Sequence, residues 1–352
     1  QVGHNPLVGM SLWCCDAPLG ERAPLVGPGQ SADELFVRAG GFGRFQCVVA
    51  LAVGLVQAFC AAIVMLPAYV PLVAEAEWGG PVSTTPMVIA FFIGQILGFP
   101  VWGLLADRFG RVITLKWSLH LLLVTSLVTF AAGGETTFAW LRLPVGLVSG
   151  GAWIGQQALG VEYCAPRHRI LFFLLAQIGW CSGEVWAALI AWGVSGLDWR
   201  ALTLLNLMYV PAVCLVYYLP ETPRFLLLRG EHEEAMATIR RIAEINRSPL
   251  GPKDVLQASG GAPPNGADAA SSVGIGSSLM LTLNQLGAPS VLPRVMLISA
   301  VWIGAAGSYY GVAFTSVEFE VYNVYVTDLV MIGAEIVALP VLAWVTEYGG
   351  RR

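Results

Sequence analysis

Three carboxylates lie inside stretches that are otherwise apolar: Glu184 in W-C-S-G-E-V-W, and Asp328 and Glu335 in a second run further along. An ionisable group at the centre of a membrane helix costs about 2.5–3.5 kcal/mol on insertion scales, so each of these acids needs a physical reason to be there. One reason is a cavity in which the acid holds a cation or a proton. The other is a protonated acid hydrogen-bonded to a neighbouring helix. Asp328 and Glu335 are seven residues apart, two helical turns, and therefore share a face; for Asp328, near the start of its run, an interfacial place is the alternative. Uncharged polar groups accompany them in the apolar runs: Gln57, Gln95, Gln156, Gln157 and Gln177. A buried amide must find partners, so each of these either touches a solute or ties two helices together. Trp180 stands four residues before Glu184 and can stack on an aromatic or cationic ligand. Trp153, Trp186, Tyr309 and Tyr310 complete an aromatic set, for which a belt at the membrane edge is the plainer use. The residues expected to line a substrate cavity are Gln57, Gln156, Gln177, Trp180, Glu184, Tyr309, Tyr310 and Glu335.

The elements that must position these groups are membrane helices. The 352 residues are 56% hydrophobic and only 12% charged, with a mean hydropathy of +0.68, far too apolar for a soluble domain. A formal charge of −4 offers no basic surface for nucleic acid. Crossing ~30 Å of hydrocarbon takes roughly 20 apolar residues. Eight runs qualify, at 46–74, 85–105, 113–133, 138–161, 170–195, 201–219, 295–316 and 323–345. The seven cysteines sit mostly inside these runs and read as small buried hydrophobes, not as a disulfide framework. No catalytic triad, zinc-ligand spacing or nucleotide fingerprint occurs, so neither enzymatic activity nor a cofactor or metal is expected.

Two copies of a short turn motif follow apolar runs 240 residues apart. The first is G-L-L-A-D-R-F-G-R, Gly103 to Arg111, and the second is T-E-Y-G-G-R-R, Thr346 to Arg352. Asp107, Gly110 and Arg111 align with Glu347, Gly350 and Arg351. Glycine permits a tight bend, arginine stays at the lipid–water boundary, and the acid pairs with it or caps a helix. A repeated turn implies a duplicated membrane unit. Arginine and lysine placement orients it. Arg108, Arg111 and Lys116 lie between spans two and three, Arg167 and Arg169 between four and five, and Arg224 to Lys253 after span six. Alternate loops carry Glu75, Glu77, Glu135, Glu318 and Glu320, and only Arg200 breaks the bias, so the N-terminus is expected in the cytoplasm. The chain then divides into an N-terminal segment (1–43), a six-helix bundle (44–220), a cytoplasmic insert (221–293) and two further helices (294–352). Within the insert, Glu231–Asn246 places Ala235, Ile239 and Ile242 on one face and reads as a surface helix. The Gly/Pro/Ser-rich stretch 248–278 is too poor in apolar side chains to pack a core. The sequon Asn246-Arg247-Ser248 is expected to be unused, because this loop faces the cytoplasm.

This order of features resembles the major facilitator superfamily. The Gly103–Arg111 stretch is similar to that superfamily's loop motif, and Arg142 with Gly146, Gly150 and Gly151 to its fourth-helix signature. G-F-G-R-F-Q (Gly41–Gln46), L-P-E-T-P-R-F-L (Leu219–Leu226), Glu162 seven before Arg169, D-W-R (Asp198–Arg200) and Y-Y-G (Tyr309–Gly311) narrow the likeness to the synaptic-vesicle-related and organic-ion branch. The resemblance implies an all-α membrane protein, a major-facilitator-type helical bundle with eight of an expected twelve helices present. Further helices are expected beyond Arg352, and Gln1 in place of Met suggests residues before it. It also implies a transporter that moves a small organic solute, an organic ion above all, through the lipid bilayer by alternating access. Proton or sodium is the candidate coupling ion. The gating residues it implies are Gly103, Asp107, Arg108, Gly110, Arg111, Arg142, Glu162, Arg169, Glu347, Gly350 and Arg351, with Glu162–Arg169 and Asp107–Arg111 as cytoplasmic pairs. One departure bears on coupling. Branch members carry two first-helix carboxylates three residues apart, and Cys60 and Ile63 stand there. A non-transporting binding protein with a transporter-like body is therefore an alternative. A sugar porter is another, although V-W-I-G-A-A-G-S-Y-Y-G lacks the glutamines expected at the start of span seven.

Overall fold

The computed structural model describes residues 32–251, 291–315 and 323–348, with isolated positions between 280 and 289. A short helix α1 (Ala32–Arg38) precedes a long α2 (Arg44–Trp78). Then come α3 (Thr85–Phe109), α4 (Arg111–Val128), α5 (Glu135–Tyr163) and α6 (Arg169–Gly193). A ten-residue 3-10 segment, Trp199–Met208, leads into α7 (Tyr209–Tyr217). Helices α8 (Pro223–Leu228) and α9 (His232–Ile245) follow, and then α10 (Leu292–Thr315) and α11 (Val324–Tyr348).

Seven of the expected spans are each long and apolar enough to cross a membrane. The fourth expected span, 138–161, forms the helix α5 but is not one of the seven. The reason is its content: within this stretch α5 carries Arg142 together with Ser149, Gln156, Gln157 and five glycines. It packs against α2, α3 and α4, so its polar groups face other helices and need not be apolar.

Small residues set the two closest crossings. A Cβ on Gly94 or Gly98 of α3 would run into the carbonyls of Leu143 and Leu147 of α5, and one on Gly146 into the Phe91 carbonyl of α3. Across the α2–α6 crossing, Gly179 meets the Gly54 backbone and Gly183 meets Ala58. Close backbone approach of this kind replaces the hydrophobic driving force that lipid cannot supply. The other α5 glycines also act as packing sites: Gly151 lies against Trp102 and Ser118, Gly155 against Leu115, and Gly160 against Phe172.

The surface helix read from Glu231–Asn246 is present as α9, with Ala235, Ile239 and Ile242 fully buried. Asn246 at its end accepts a hydrogen bond from the Phe45 N–H at 2.9 Å and donates to the Ala39 carbonyl and the Gln46 side chain. The sequon amide is thus engaged at the start of α2. Asp33 of α1 pairs with Arg224, and with Arg169 at 3.9 Å, which fastens α1 to α8 and α6. The odd basic residue Arg200 is compensated locally, by Glu77 at 2.8 Å and Asp198 at 3.1 Å. The Arg200 N–H, donating to the Asp198 cap, holds that carboxyl below its usual range. Among the described cysteines, Cys60, Cys164 and Cys181 are buried as expected, whereas Cys47 and Cys214 are exposed on outward helix faces. Cys14 and Cys15, the loop stretch 252–278, and Glu318 and Glu320 lie outside the described residues.

Candidate functional site

Gln177, Trp180, Cys181 and Glu184 recur at three- and four-residue spacing on α6 and form one stripe. That stripe faces α10 and α11. The Tyr309 hydroxyl of α10 donates to Glu184 Oε1 and accepts from Trp180 Nε1 at 2.7 Å. Gln177 Nε2 donates to Glu335 Oε1 of α11 at 2.7 Å. Tyr309 Oη also lies 3.4 Å from Glu335 Oε2, but its single hydrogen is directed at Glu184. Five of the eight expected cavity residues therefore cluster together in two hydrogen-bonded groups, Trp180–Tyr309–Glu184 and Gln177–Glu335, which approach each other to 3.4 Å.

Beside this cluster is a cavity of about 460 Å³, walled by α2, α6, α10 and α11. Glu184, Asp328 and Glu335 line it, with Tyr69, Tyr309 and Ser308. No lysine or arginine is among its described lining residues. Asp328, Met331, Ile332 and Glu335 all line it, the single face that the seven-residue spacing implied. Tyr69 and Ser308 were not singled out from sequence. A tyrosine in an apolar helix and a serine beside glycine carry no signal until α2 and α10 are brought together.

The other expected cavity residues are placed elsewhere. Gln57 and Gln156 are 3% and 0% exposed and hydrogen-bond to each other, joining α2 to α5. This is the helix-tying use of a buried amide. Gln95 similarly reaches Ser149 at 3.3 Å. Tyr310 packs edge-on to Tyr309 and Phe92, with centroids 5.1 and 4.9 Å away. Trp180 touches Trp153 at 5.4 Å and orients Tyr309, and it does not line the cavity.

Arg142 is fully buried and donates to the Ile63 carbonyl of α2 at 2.7 Å. Its guanidinium lies 4.7 Å from the Phe91 ring centroid. The arginine thus meets α2 at Ile63, one of the two positions without the branch's carboxylate.

The first turn motif forms a cluster at the end of the bundle. Gly110 has φ +111°, a conformation suited to glycine, and makes the bend between α3 and α4. Glu221 caps the start of α4, accepting from Arg111 N at 3.0 Å and Val112 N at 3.2 Å. Arg111 pairs with Asp107 at 3.0 Å and with Glu162 at 3.0 Å. Gly103 meets only Ile154, at ordinary contact distance. Arg108 reaches over the Phe109 ring, its carbon 5.6 Å from the centroid. The expected Glu162–Arg169 pair is replaced. Glu162, on the last turn of α5, points to Arg111 and Thr222, while Arg169 begins α6 beyond an intervening turn and reaches Asp33. The Glu347 side chain, Gly350 and Arg351 lie outside the described residues.

Exposure separates the two acids of Arg111. Asp107 is 72% exposed and Glu162 only 14%. Asp107→Asn is expected to change stability by less than about 1 kcal/mol. Glu162→Ala, which leaves the Arg111 guanidinium without its shielded partner, should cost about 3 kcal/mol. Thermal unfolding of the two purified variants tests the ranking, and equal losses would contradict it.

Comparison with known proteins follows the same lines. Residues 42–352 match the family described as Sugar (and other) transporter. Solute carrier family 22 member 7 from Bos taurus is 30% identical over 266 residues, 74% of this chain and 46% of the relative. Organic cation/carnitine transporter 7 from Arabidopsis thaliana is 26% identical, covering 82% of this chain and 62% of the relative. The synaptic vesicle 2-related protein of Rattus norvegicus is 30% identical over 61% of this chain and 39% of its own length. The chain spans about half the length of the curated relatives it matches. Among solved structures, the partially occluded, inward-open xylose transporter XylE from E. coli superimposes with a TM-score of 0.60 at 16% identity, covering 86% of this chain and 72% of that one.

Proposed function

We propose that this chain, which belongs to the sugar (and other) transporter family of the major facilitator superfamily, carries a small organic cation across a membrane by alternating access. The observation behind this reading is the charge of the cavity wall: three carboxylates, no described base and two tyrosines. Carboxylates attract a cation in a low-dielectric cavity, and tyrosine faces add cation–π attraction. An organic anion would meet repulsion from Glu184, Asp328 and Glu335. The sugar-porter alternative has less support, because Gln57 and Gln156 hydrogen-bond to each other and neither is among the described residues lining the cavity. Cys60 and Ile63 leave the first apolar run, 46–74, without an acid, so proton coupling, where it operates, falls to Glu184 and Glu335.

Uptake into proteoliposomes carrying the full-length protein tests this. Radiolabelled tetraethylammonium should accumulate saturably, while benzoate should not. Saturable benzoate uptake without tetraethylammonium uptake would reverse the charge assignment, and uptake of neither at high folded yield would favour a non-transporting binding protein.

The orientation follows from the same arginine bias. The helix α9 and its flanking loop are placed in the cytoplasm, and the Glu75–Pro81 turn on the opposite side. Single cysteines introduced at Glu233 and Glu77 should label from opposite sides of sealed vesicles. Labelling of both from one side would overturn the topology.

A further inference from the structure

Cys181 stands three residues before Glu184 on the α6 stripe, and Glu335 comes to them from α11. One ligand atom from each, the thiol sulfur and two carboxylate oxygens, lies within 4.8 Å of the others. The hydrogen bonds around the two acids leave a consistent pattern. Glu184 Oε1 accepts from Tyr309, and Glu335 Oε1 accepts from Gln177. Each donor holds one oxygen and leaves the second without a donor of its own, the Tyr309 hydroxyl that lies 3.4 Å from Glu335 Oε2 being directed at Glu184. Glu184 Oε2 is buried without a hydrogen-bond partner among the described residues, in a side chain only 5% exposed. An orphaned carboxylate oxygen at that depth is costly unless something positive meets it. Donors that hold one oxygen of each ligating carboxylate are the kind of outer support that metal sites use.

We propose that Cys181, Glu184 and Glu335 form a binding site for a zinc-class divalent cation, with its remaining coordination position open to the cavity. The donor set argues for this class. One thiolate with two carboxylates is a borderline-soft set that suits Zn²⁺ and, as a probe, Cd²⁺, better than Mg²⁺ or Ca²⁺, which take oxygen ligands. Three protein ligands and one open position is the arrangement of accessible zinc sites. Two of the ligands are on α6 and the third on α11, so the ion ties the first bundle to the second and holds them at the separation seen here. The site shares Glu184 and Glu335 with the organic-cation reading and adds Cys181 to them, and its test uses metal alone, so it can fail or succeed whatever organic solute the cavity takes.

The full-length protein is purified with Cys14 and Cys15 replaced by serine, so that neither terminal thiol contributes, and ⁶⁵Zn²⁺ binding is measured by equilibrium dialysis. One saturable Zn²⁺ per chain is expected. C181S and E335Q should each weaken it at least ten-fold, with the C181S loss larger for Cd²⁺ than for Zn²⁺. C60S, a buried cysteine outside the cluster, should change affinity less than two-fold. Tryptophan emission during heating establishes which variants are folded. If C181S fails that check, C181A and E335Q carry the test. No saturable binding, or unchanged affinity in folded C181S and E335Q, would overturn the proposal.

Discussion

Glutamine in place of Glu184 is expected to lower organic-cation binding to the full-length protein at least ten-fold and to flatten its pH dependence. The substitution keeps the shape of the side chain, and the amide oxygen still accepts from Tyr309. Two things change. The negative charge at the cavity wall is lost, and an amide NH₂ now occupies the place of Oε2, which has no partner among the described residues. A hydrogen bond to a charged group contributes about 1.5–3 kcal/mol, enough for a ten-fold loss or more. If Glu184 served only as a protonated packing group, the amide would replace it with little penalty, since both forms donate and accept. Glu335→Gln should show a smaller loss, because Gln177 holds Oε1 and only the second oxygen is left for a ligand. Isothermal titration with tetraethylammonium across pH 5–9 measures both variants. Unchanged affinity and an unchanged pH profile in both would remove the carboxylates from solute recognition and leave a facilitator that does not read charge, or a binding protein.

The second large effect is structural. Gly146→Val should destabilise the helical bundle by about 3 kcal/mol or more, because its side chain would enter the Phe91 backbone. A flexible side chain can move out of the way, but a carbonyl in α3 can yield only if the α3–α5 crossing opens. That would also disturb Gly94 and Gly98, which meet α5 across the same crossing. Gly133→Ala is the control, since nothing lies within 4 Å of a Cβ there, and its change should stay within about 0.5 kcal/mol. Thermal unfolding in detergent, with the folded fraction read by size exclusion, compares the two. Equal stability would mean that close approach of α3 and α5 is not what holds this crossing.

Much of the fold is legible in the sequence, because hydrophobic runs of membrane length form membrane helices. The eight expected runs all appear as helices, and only α5 falls short of an apolar span by itself, because Arg142, Gln156, Gln157 and its glycines lower its hydropathy. The amphipathic pattern of Glu231–Asn246 likewise specified α9, since a 3.6-residue period needs no tertiary information. Sequence also placed Glu184 and Glu335 at a depth where an acid requires a partner, and put Asp328 on the same face as Glu335. Which partner each group takes was a matter of tertiary structure. Gln57 and Gln156, indistinguishable in type from Gln177, hydrogen-bond to each other across α2 and α5, whereas Gln177 reaches Glu335 from 158 residues away. Glu162 and Arg169 have a spacing that allows a local pair, yet α5 ends at Tyr163 and the turn after it sends Arg169 to Asp33 and leaves Glu162 to Arg111. Burial and periodicity are properties of one helix and can be read along the chain. Hydrogen-bond partners depend on the rotation and separation of two helices, which packing of Gly54 on Gly179 and of Gly94 on Leu143 sets only when the helices meet.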